Sequence, residues 1–532
     1  MENFENKRIL MVCREVYSYP FYFLADRWKE KNALGVYFFS PSEVRNSKNP
    51  SNEYSYYAFK DSKDVKIYTT LEMSNLFEQI QKRKDIIDEE YLAFLEDNYT
   101  HYLNLNAQIV STQSFTRHFH FRNYWSNCTY AQQMNWLILN YKDVIKVIED
   151  FKPDIVLDCD FAELGRCVMR EVCYKNRIPY LCIEHPRYET FKIITYSLGL
   201  KISNQLQKKY NDFLCKSKNE LADEFSYVEN FRKKHSIMHS MYKNNSTTNY
   251  HPDGFLKSLK IILGVCWLMF KQDFIAKNYH VKKRNQLLHS NSLQFIWYFI
   301  KLQLKKEYLL RKNKYFTEPV EGEKYVYMPL HLIPESTTFS LAPFYINELS
   351  IIEAISKSLP AGWKLYVKEH QAMVGERSLS FYKKVNSIPN AQMVQLNFYL
   401  DPKPWIAKSQ GVVTISGTSA YEAALLGKHA IIFSDVPFGL IEGINRVCSF
   451  EKLPYELQQF KEPLDNMKSC AAYIAAVKAI GKPVDLIEIT RDAPKYISKK
   501  EIPNSIFLEN ISNLEQLFFL GNKLCQTEFE NQ

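Results

Sequence analysis

A short stretch near residue 415 constrains the fold more than any other part of the chain. Residues 412–415 are an apolar, β-branched run typical of a buried parallel strand. Gly417 then allows a sharp turn and leaves space for a close approach. Ser419 and Glu422 have capping-box spacing, which predicts a helix beginning at Ser419, and Gly427 is expected to end it. Strand, glycine turn and helix in this order predict a βα unit of a parallel sheet.

This turn has two interpretations. In the first it is only a well-capped βα turn, because capping boxes are common. In the second, the unpaired N–H groups and the dipole of the helix N-terminus form an anion site, with Ser416 and Thr418 as the ligand contacts. Seven of the 15 glycines lie between Gly362 and Gly443. Backbone freedom is therefore concentrated around this turn, which favours the second interpretation.

The length of 532 residues predicts two domains of similar size, because one ordinary core cannot serve so long a chain. Strand-like and helical patterns alternate in both halves, which predicts parallel sheets covered by helices. The predicted fold class is α/β, with two Rossmann-type doubly wound parallel sheets facing a cleft and a helical, basic insertion between them. The predicted boundaries are 1–205 for the first domain, 206–322 for the insertion, 323–480 for the second domain and 481–532 for helices that pack back.

Composition restricts the compartment and the partners. The eleven cysteines have no zinc-type spacing, and the first residues are polar and acidic, so we expect a cytoplasmic protein without an N-terminal signal. The chain carries a net charge of +9, yet 13 Lys and Arg against two acids give the segment from Lys257 to Lys314 a charge of +11. The basic character therefore belongs to that one segment. No nucleic-acid partner is predicted.

Two apolar runs lie inside the basic segment, at residues 261–270 and 295–300. Both are shorter than the roughly 20 residues that a membrane-spanning helix needs. Lys, Arg, Trp and Tyr accompany them, a pattern typical of helices that lie on an anionic membrane surface. The same pattern also suits two buried helices that bridge the domains, so peripheral attachment to the inner face of the cytoplasmic membrane is one of two predictions.

In the first half, polar side chains follow two predicted strands. Asp158-Cys-Asp160 follows residues 155–157, and Glu184-His185 follows residues 178–183. The carboxyl ends of parallel strands meet at one edge of a sheet, where ligands bind. The candidates for the reacting side of this domain are Asp160, Glu163, Glu184 and His185, although for each residue taken singly a helix cap or a solvated loop position is the more common role.

In the second half, three predicted strands deliver polar groups to one crevice. Lys368 and His370 are cationic donors suited to phosphate oxygens. Glu422 can accept hydrogen bonds from sugar or ribose hydroxyls. The full set predicted to bind a nucleotide-linked substrate is His331, Glu335, Ser336, Lys368, Glu369, His370, Ser416, Gly417, Thr418, Ser419 and Glu422.

Four motifs in the second half carry a family resemblance: residues 327–337, 365–370, 380–390 and 416–423. In this order they resemble the capsule polysaccharide biosynthesis family, which is GT-B-like and includes enzymes that transfer Kdo from CMP-Kdo. The resemblance implies a nucleotide-sugar donor in the second half and an acceptor in the first. It also implies that His370 binds the donor phosphate and that residues 416–418 hold nucleotide or phosphate. The chain departs from the family pattern at Gln371, Lys428-His429 and Ser434.

The sequence therefore predicts a glycosyltransferase of bacterial surface polysaccharide biosynthesis, acting on a glycan or glycolipid acceptor. No cofactor is predicted, and transfer is expected to be metal-independent, because Asp158 and Asp160 have metal-binding spacing but lie in the acceptor half. If the enzyme inverts, Asp160 is the first candidate for the general base, followed by Glu163 and His185. If it retains, a carboxylate acts as nucleophile or ion-pair stabiliser. The alternatives are a sugar-nucleotide epimerase of the same fold and a non-catalytic polysaccharide-assembly protein.

Overall fold

The computed structural model contains two sheets, each covered by helices. It describes residues 4–39, 56–59, 62–70, 87–110, 129–160, 162–196, 203–237, 251–270, 292–312, 314–333, 336–498 and 500–529. Glu335, one of the predicted site residues, lies outside these ranges. Ser336 begins a helix, but its side chain is not among those described.

Seven strands form the first sheet: β1 (Arg8–Cys13), β2 (Ala33–Phe38), β3 (Val65–Thr69), β4 (Ile155–Asp158), β5 (Tyr180–Glu184), β6 (Phe191–Thr195) and β13 (Lys482–Pro483). Their order is β13-β6-β5-β4-β1-β2-β3. β1 to β5 run parallel, whereas β6 and β13 are antiparallel to their neighbours. The strand order reverses between β1 and β4, which is the position where open α/β sheets bind ligands.

The helices of the first domain cover both faces of this sheet: α1 (Tyr19–Trp28), α2 (Tyr56–Phe59), α3 (Glu89–Asn98), α4 (Leu105–Val110), α5 (Tyr130–Phe151) and α6 (Leu164–Lys175). Successive residues of a strand point to opposite faces. In β1, Leu10 and Val12 accordingly pack with residues of α5 and α6, while Ile9 and Met11 pack with residues of α1. Both faces are buried, which explains the continuous apolar runs of the strands.

Six strands form the second sheet: β7 (Tyr325–Pro329), β8 (Lys364–Lys368), β9 (Ala391–Met393), β10 (Gly411–Val413), β11 (His429–Ile432) and β12 (Ile444–Arg446). All pairs are parallel, in the order β12-β11-β10-β7-β8-β9. The order reverses between β7 and β10, as it does between β1 and β4. Two Rossmann-type sheets with a helical insertion between them confirm the predicted fold class.

The described helices of the second domain are α11 (Ser336–Leu341), α12 (Glu348–Ser358), α13 (Leu379–Asn386), α14 (Pro402–Lys408), α15 (Thr418–Leu425), α16 (Leu453–Gln459) and α17 (Met467–Ile480). α11 to α15 connect its parallel strands, and α16 and α17 follow β12. As predicted, Gly427 follows the end of α15, with a left-handed φ of 72°. Glycine adopts this conformation without the steric cost of a side chain, and it is the usual residue after a helix end.

Along the chain, four described helices lie between the first six strands of the first sheet and the second sheet. They are α7 (Asn204–Leu214), α8 (Ala222–Lys233), α9 (Gly254–Phe270) and α10 (Ser292–Lys312). The first two pack on the second domain, where the Tyr210 hydroxyl lies 2.8 Å from Ser469 Oγ of α17. α9 and α10 pack against each other. None of the helices within the described ranges is both long and apolar enough to span a bilayer.

The end of the chain returns to the first sheet. After α17 the chain forms β13, in which Lys482 pairs with Lys192 of β6, and then α18 (Leu486–Ser498) and α19 (Ser505–Phe529). These two helices share a buried cluster with α1, in which the Phe518 and Phe21 rings stack with centroids 6.0 Å apart. The last helices therefore complete the core of the first domain.

Candidate functional site

The candidate site lies where β7, β8 and β10 end, at the carboxyl edge of the second sheet. His331 follows β7, Lys368 ends β8, and Ser416 follows β10. β7 is hydrogen-bonded to both β8 and β10, so the three strand ends are adjacent. The strand order reverses between β7 and β10, which is the position where open α/β sheets bind ligands.

The imidazole of His331 joins two of these strand ends. Its Nε2 accepts the Ser416 backbone N–H at 3.3 Å and lies 3.3 Å from Thr414 Oγ1. An accepting Nε2 requires the proton on Nδ1 when the ring is neutral. Nδ1 in turn lies 3.8 Å from Glu348 Oε1, which also accepts the His331 backbone N–H at 2.7 Å. His331 therefore fixes the geometry of the turn after β10.

Arg377 holds the loops of β7 and β8 together. Its guanidinium donates to Glu369 Oε1 at 3.1 Å and to the His331 carbonyl at 2.7 Å, and it forms an ion pair with Glu348. All of these groups are buried. Burial tends to raise the pKa of Glu348, but Arg377 and the hydrogen bonds and charge of His331 together outweigh it and hold that pKa below its usual value. Arg377 is thus the electrostatic centre of this edge of the sheet.

Glu369 is used within this network. Its Oε1 accepts the His370 backbone N–H at 2.7 Å, and its Oε2 accepts the Tyr382 hydroxyl at 2.7 Å. Burial raises the pKa of Glu369, while Arg377 and Tyr382 oppose the rise. These contacts fix the orientation of the Lys368-Glu369-His370 segment, so Glu369 has a positioning role in the structure.

His370 supplies a neutral donor, not the cationic one expected from the sequence. Burial lowers its pKa to about 4, and the neighbouring His331 and Arg377 add to this effect. Its Nδ1 accepts the Ala372 N–H at 3.2 Å, so the proton of the neutral ring lies on Nε2. The sequence prediction was wrong about this charge because burial could not be read from the motif.

Lys368 is also buried at the end of β8. Burial lowers its pKa to about 8, although Asp401 opposes the change. Its Nζ lies 6.0 Å from the centre of the Trp405 ring. At neutral pH the amine is still largely protonated. It therefore provides a positive charge at the end of β8, of the kind that binds phosphate oxygens.

The turn after β10 departs from the predicted capping box. α15 begins at Thr418 with Gly417 as its N-cap, and no side chain caps it. Ser419 is already the second helical residue, so it cannot act as the N-cap, and its buried Oγ has no hydrogen-bond partner. The prediction was wrong because the extended backbone of Gly417, with φ −75° and ψ 148°, takes the N-cap position. A helix start without a side-chain cap leaves N–H groups for an anion.

Gly417 is required here for space and not for an unusual φ. A Cβ at this position would lie 2.5 Å from Thr414 Oγ1 and 3.4 Å from His331 Nε2. We expect Gly417→Ala to displace this contact and to reduce the free energy of unfolding by about 1–3 kcal/mol, as overpacking does. Urea denaturation measures this change.

The matched control is Gly264→Ala inside α9, where an added Cβ meets nothing within 4 Å. Alanine favours helix over glycine, so this variant should be neutral or more stable by about 0.5–1 kcal/mol. Equal effects of the two substitutions would contradict the packing assigned to Gly417.

The first domain faces this site with residues that follow β5. Burial raises the pKa of Glu422 on α15 to about 7, and Arg187 of the first domain opposes the rise. Burial also raises the pKa of Glu184 to about 8; Arg187 opposes this rise, and Asp435 of the second domain adds to it. The Tyr473 hydroxyl donates to the Pro186 carbonyl at 2.7 Å. Glu184 and Arg187 thus lie at the contact of the two domains.

Asp160, Glu163 and His185 occupy the carboxyl edge of the first sheet. Asp160 Oδ2 lies 3.4 Å from Arg166 Nη1, and Glu163 forms an ion pair with Arg14. Glu163 precedes α6 with a left-handed φ of 88°, which is strained for a residue with a side chain. Burial lowers the pKa of His185 well below its usual value, and the positive charges of Lys192 and Arg187 add to this effect.

Asp158, the other half of the Asp-x-Asp pattern, is fully buried. Its Oδ2 lies 2.8 Å from Arg166 Nε and accepts the Tyr180 hydroxyl at 2.5 Å. Burial raises its pKa to about 6, although Arg166 opposes the rise. Asp158 and Asp160 therefore share one arginine inside the first domain.

Sequence reasoning missed Arg377, Glu348, Thr414 and Arg187. Arg377 lies in a Gly375-Glu-Arg run with no recognisable spacing, and its role depends on burial. Thr414 belongs to the apolar run that predicted the strand, so its hydroxyl was not considered as a polar contact of the site. A buried arginine near several carboxylates is visible only once the loops are brought together.

No family model matches the chain, and no curated protein matches it. Among solved structures, it is similar to KpsC of Thermosulfurimonas dismutans, a β-Kdo 2,7 transferase, with 9% identity and a TM-score of 0.30 over 68% of this chain and 90% of that one. A β-Kdo 2,4 transferase of the same organism has 11% identity and a TM-score of 0.30 over 65% and 87%.

The chain is also similar to the UDP-GlcNAc 2-epimerase of Neisseria meningitidis bound to UDP-GlcNAc. The identity is 11% and the TM-score 0.25, over 92% of this chain and 98% of that one. Similarities of this size assign neither a substrate nor a residue role to this chain.

Proposed function

We propose that the protein is a glycosyltransferase that moves a sugar from a nucleotide donor to a glycan or glycolipid acceptor in surface polysaccharide biosynthesis. One observation carries the proposal. At the reversal point of the second sheet, His331 holds an uncapped helix start beside the ends of β7 and β8. A site with N–H groups, a buried lysine and a neutral imidazole suits the phosphates of a nucleotide sugar.

The donor residues divide into two groups by their contacts. In the proposal, Lys368, His370, Ser416, Thr418, Ser419 and the first-turn N–H groups of α15 supply the donors to the phosphates. The second group supports them: Arg377, Glu348, Glu369 and His331 hold the loops in place. Such preorganised donors stabilise the negative charge that develops on the leaving nucleotide. Metal-independent transfer remains a prediction.

The transfer step needs a base on the acceptor side. In an inverting reaction, the acceptor hydroxyl gives its proton to a carboxylate while its oxygen bonds to the anomeric carbon, and the bond to the donor phosphate breaks. Glu184 is the first-domain glutamate at the contact of the domains, and its raised pKa of about 8 suits proton transfer near neutral pH. We therefore assign the base role to Glu184 ahead of Asp160, whose carboxylate pairs with Arg166.

Incubation of the purified protein with CMP-sugars and UDP-sugars tests the proposal. Nucleotide release that requires an added glycan or glycolipid is the expected result. Conversion of the sugar without an acceptor would instead identify an epimerase. Absence of any turnover with every donor and acceptor would identify an assembly protein.

We expect His370→Ala to weaken donor binding by about 10- to 100-fold, the value of one hydrogen bond to a charged group. Nε2 carries the proton that would meet the phosphate, and alanine removes it. Calorimetry with the donor nucleotide measures the change.

His429→Ala is the matched control. His429 begins β11 at the opposite edge of the same sheet, where its ring stacks on Phe460. The control variant should bind the donor as the original protein does. Unchanged affinity in His370→Ala would remove His370 from the site.

A further inference from the structure

Both helices of the α9–α10 hairpin expose apolar side chains. On α9 most of the exposed apolar residues recur every three or four positions, so they form a row along the helix. A second such row runs along α10 and includes Lys301. The exposed large apolar residues are Phe255, Leu256, Leu259, Leu263, Trp267, Leu268 and Phe270 of α9, and Leu293, Trp297, Leu304 and Tyr308 of α10. Trp267 and Trp297 are 60% and 56% exposed. The alternative of two buried bridging helices is therefore wrong for the described part of the hairpin.

The other face of α10 is fixed to the second domain. Leu309 is 1% exposed and belongs to the core of that domain. Lys306 Nζ lies 2.8 Å from Asp253 Oδ2 just before α9, and Gln303 donates to the same oxygen at 2.9 Å. The hairpin is thus a fixed element whose apolar side faces outward.

An exposed apolar face of this size needs a partner. The charge selects its chemistry, because the segment from Lys257 to Lys314 carries +11. A second copy of the chain would bring an equal positive charge to the contact and be repelled. An anionic lipid surface matches the charge, accepts the leucine side chains, and suits tryptophans at the interface between headgroups and acyl chains.

We infer that the α9–α10 hairpin docks the protein on the surface of an anionic lipid bilayer. α9 lies in the plane of the surface with its apolar row in the acyl boundary. The lysines flank that row and reach the headgroups, as long basic side chains do. Lys301 Nζ lies 5.1 Å from the centre of the Trp297 ring, so charge and aromatic surface are presented together.

The docking face is mechanically connected to the candidate site. On the buried side of α10, Lys305 Nζ donates to the carbonyls of Glu376 and Arg377 at 3.2 and 3.0 Å. Gly375 packs so closely on α10 that an added Cβ would lie 3.0 Å from the Leu302 carbonyl oxygen. The loop that carries Arg377 therefore connects the hairpin to β7 and β8. Docking holds the edge of the second sheet at a fixed position relative to the bilayer.

Sedimentation with vesicles tests this inference. The probes are vesicles of phosphatidylcholine alone and vesicles with one third phosphatidylglycerol, both at low salt. We expect the protein to sediment with the anionic vesicles at least about tenfold more strongly than with the neutral ones, since each basic residue near the surface contributes about 1 kcal/mol. The double variant Trp267→Glu, Trp297→Glu should lose this binding.

Tyr455→Glu is the matched control, because Tyr455 is 69% exposed on α16, outside the hairpin. Unchanged urea midpoints in all variants show that the fold is intact. Three results would overturn the inference: no sedimentation at low salt, unchanged sedimentation of the double variant, or a dimer in solution that the double variant converts to a monomer.

Discussion

Replacement of Arg377 by methionine is expected to reduce the free energy of unfolding by about 3–5 kcal/mol, the cost of leaving buried charges unpaired. Arg377 is 5% exposed and neutralises Glu348 and Glu369, which are 3% and 2% exposed. Without the guanidinium, burial of two carboxylates has no compensation, and the carbonyl of His331 loses its donor. Urea denaturation followed by circular dichroism measures the loss.

The same substitution should also abolish donor binding at temperatures where the variant remains folded, because His331 and His370 would lose their support. Arg377→Lys tests the geometry: it keeps one charge, but a single ammonium cannot span three partners as the guanidinium does. We expect it to recover only part of the stability.

Arg491→Met is the matched control for Arg377. Its side chain is 63% exposed and pairs with Asp492. Exposed ion pairs contribute little, so this loss should stay below about 1 kcal/mol. A loss in Arg377→Met no greater than in this control would contradict the role assigned to Arg377.

Replacement of Glu184 by glutamine is expected to lower the transfer rate about 100- to 10,000-fold, the usual contribution of a general base. Glutamine keeps the shape of the side chain but cannot take the acceptor proton. Because the pKa of Glu184 is about 8 in the folded protein, the rate in the original protein should rise with pH until about pH 8. Steady-state rates across this range measure both effects.

The stability of the fold should change in the opposite direction with pH. The folded state raises the pKa of Glu184 from its usual 4.5 to about 8. The stability that this group contributes is fully present below about pH 4.5, and it is lost as the pH rises through about 8. Glu184→Gln removes this contribution, so its free energy of unfolding should vary less over that range.

Asp160→Asn is the comparison that decides between the two base candidates. If Asp160→Asn loses more of the transfer rate than Glu184→Gln does, then Asp160 and not Glu184 is the base. Glu189→Gln controls for the substitution itself, since Glu189 lies exposed in the same loop. This control should keep the full rate.

Local sequence patterns were sufficient for the architecture and for the edge that holds the site. β1 and β10 are continuous apolar runs, and such runs indicate strands whatever their neighbours are. The carboxyl ends of parallel strands meet by topology alone, so His331, Lys368 and Ser416 could be grouped without coordinates.

The sequence predictions that failed, the helix cap and the charge of His370, depend on which groups surround these residues in the folded chain. The Ser419–Glu422 spacing fitted a capping box, yet the helix started at Thr418 after an extended glycine. The neutral state of His370 follows from burial, which no motif carries. The choice between Glu184 and Asp160 as the base stays a prediction; the sequence could not weigh it, because burial raises the pKa of Glu184 and the nearby Asp435 of the second domain adds to the rise.

The return of α18 and α19 to the first sheet has a consequence for synthesis of the protein. One face of that sheet, with Ile9 and Met11 of β1, is covered partly by side chains as late as Leu514 and Phe518. Domains that emerge first from the ribosome generally fold first. Here that face of β1 is complete only after α18 and α19 have been made, so part of its apolar surface stays uncovered until then. Synthesis of the first domain begins before that of the second domain, but its core is completed only after the second domain has been made.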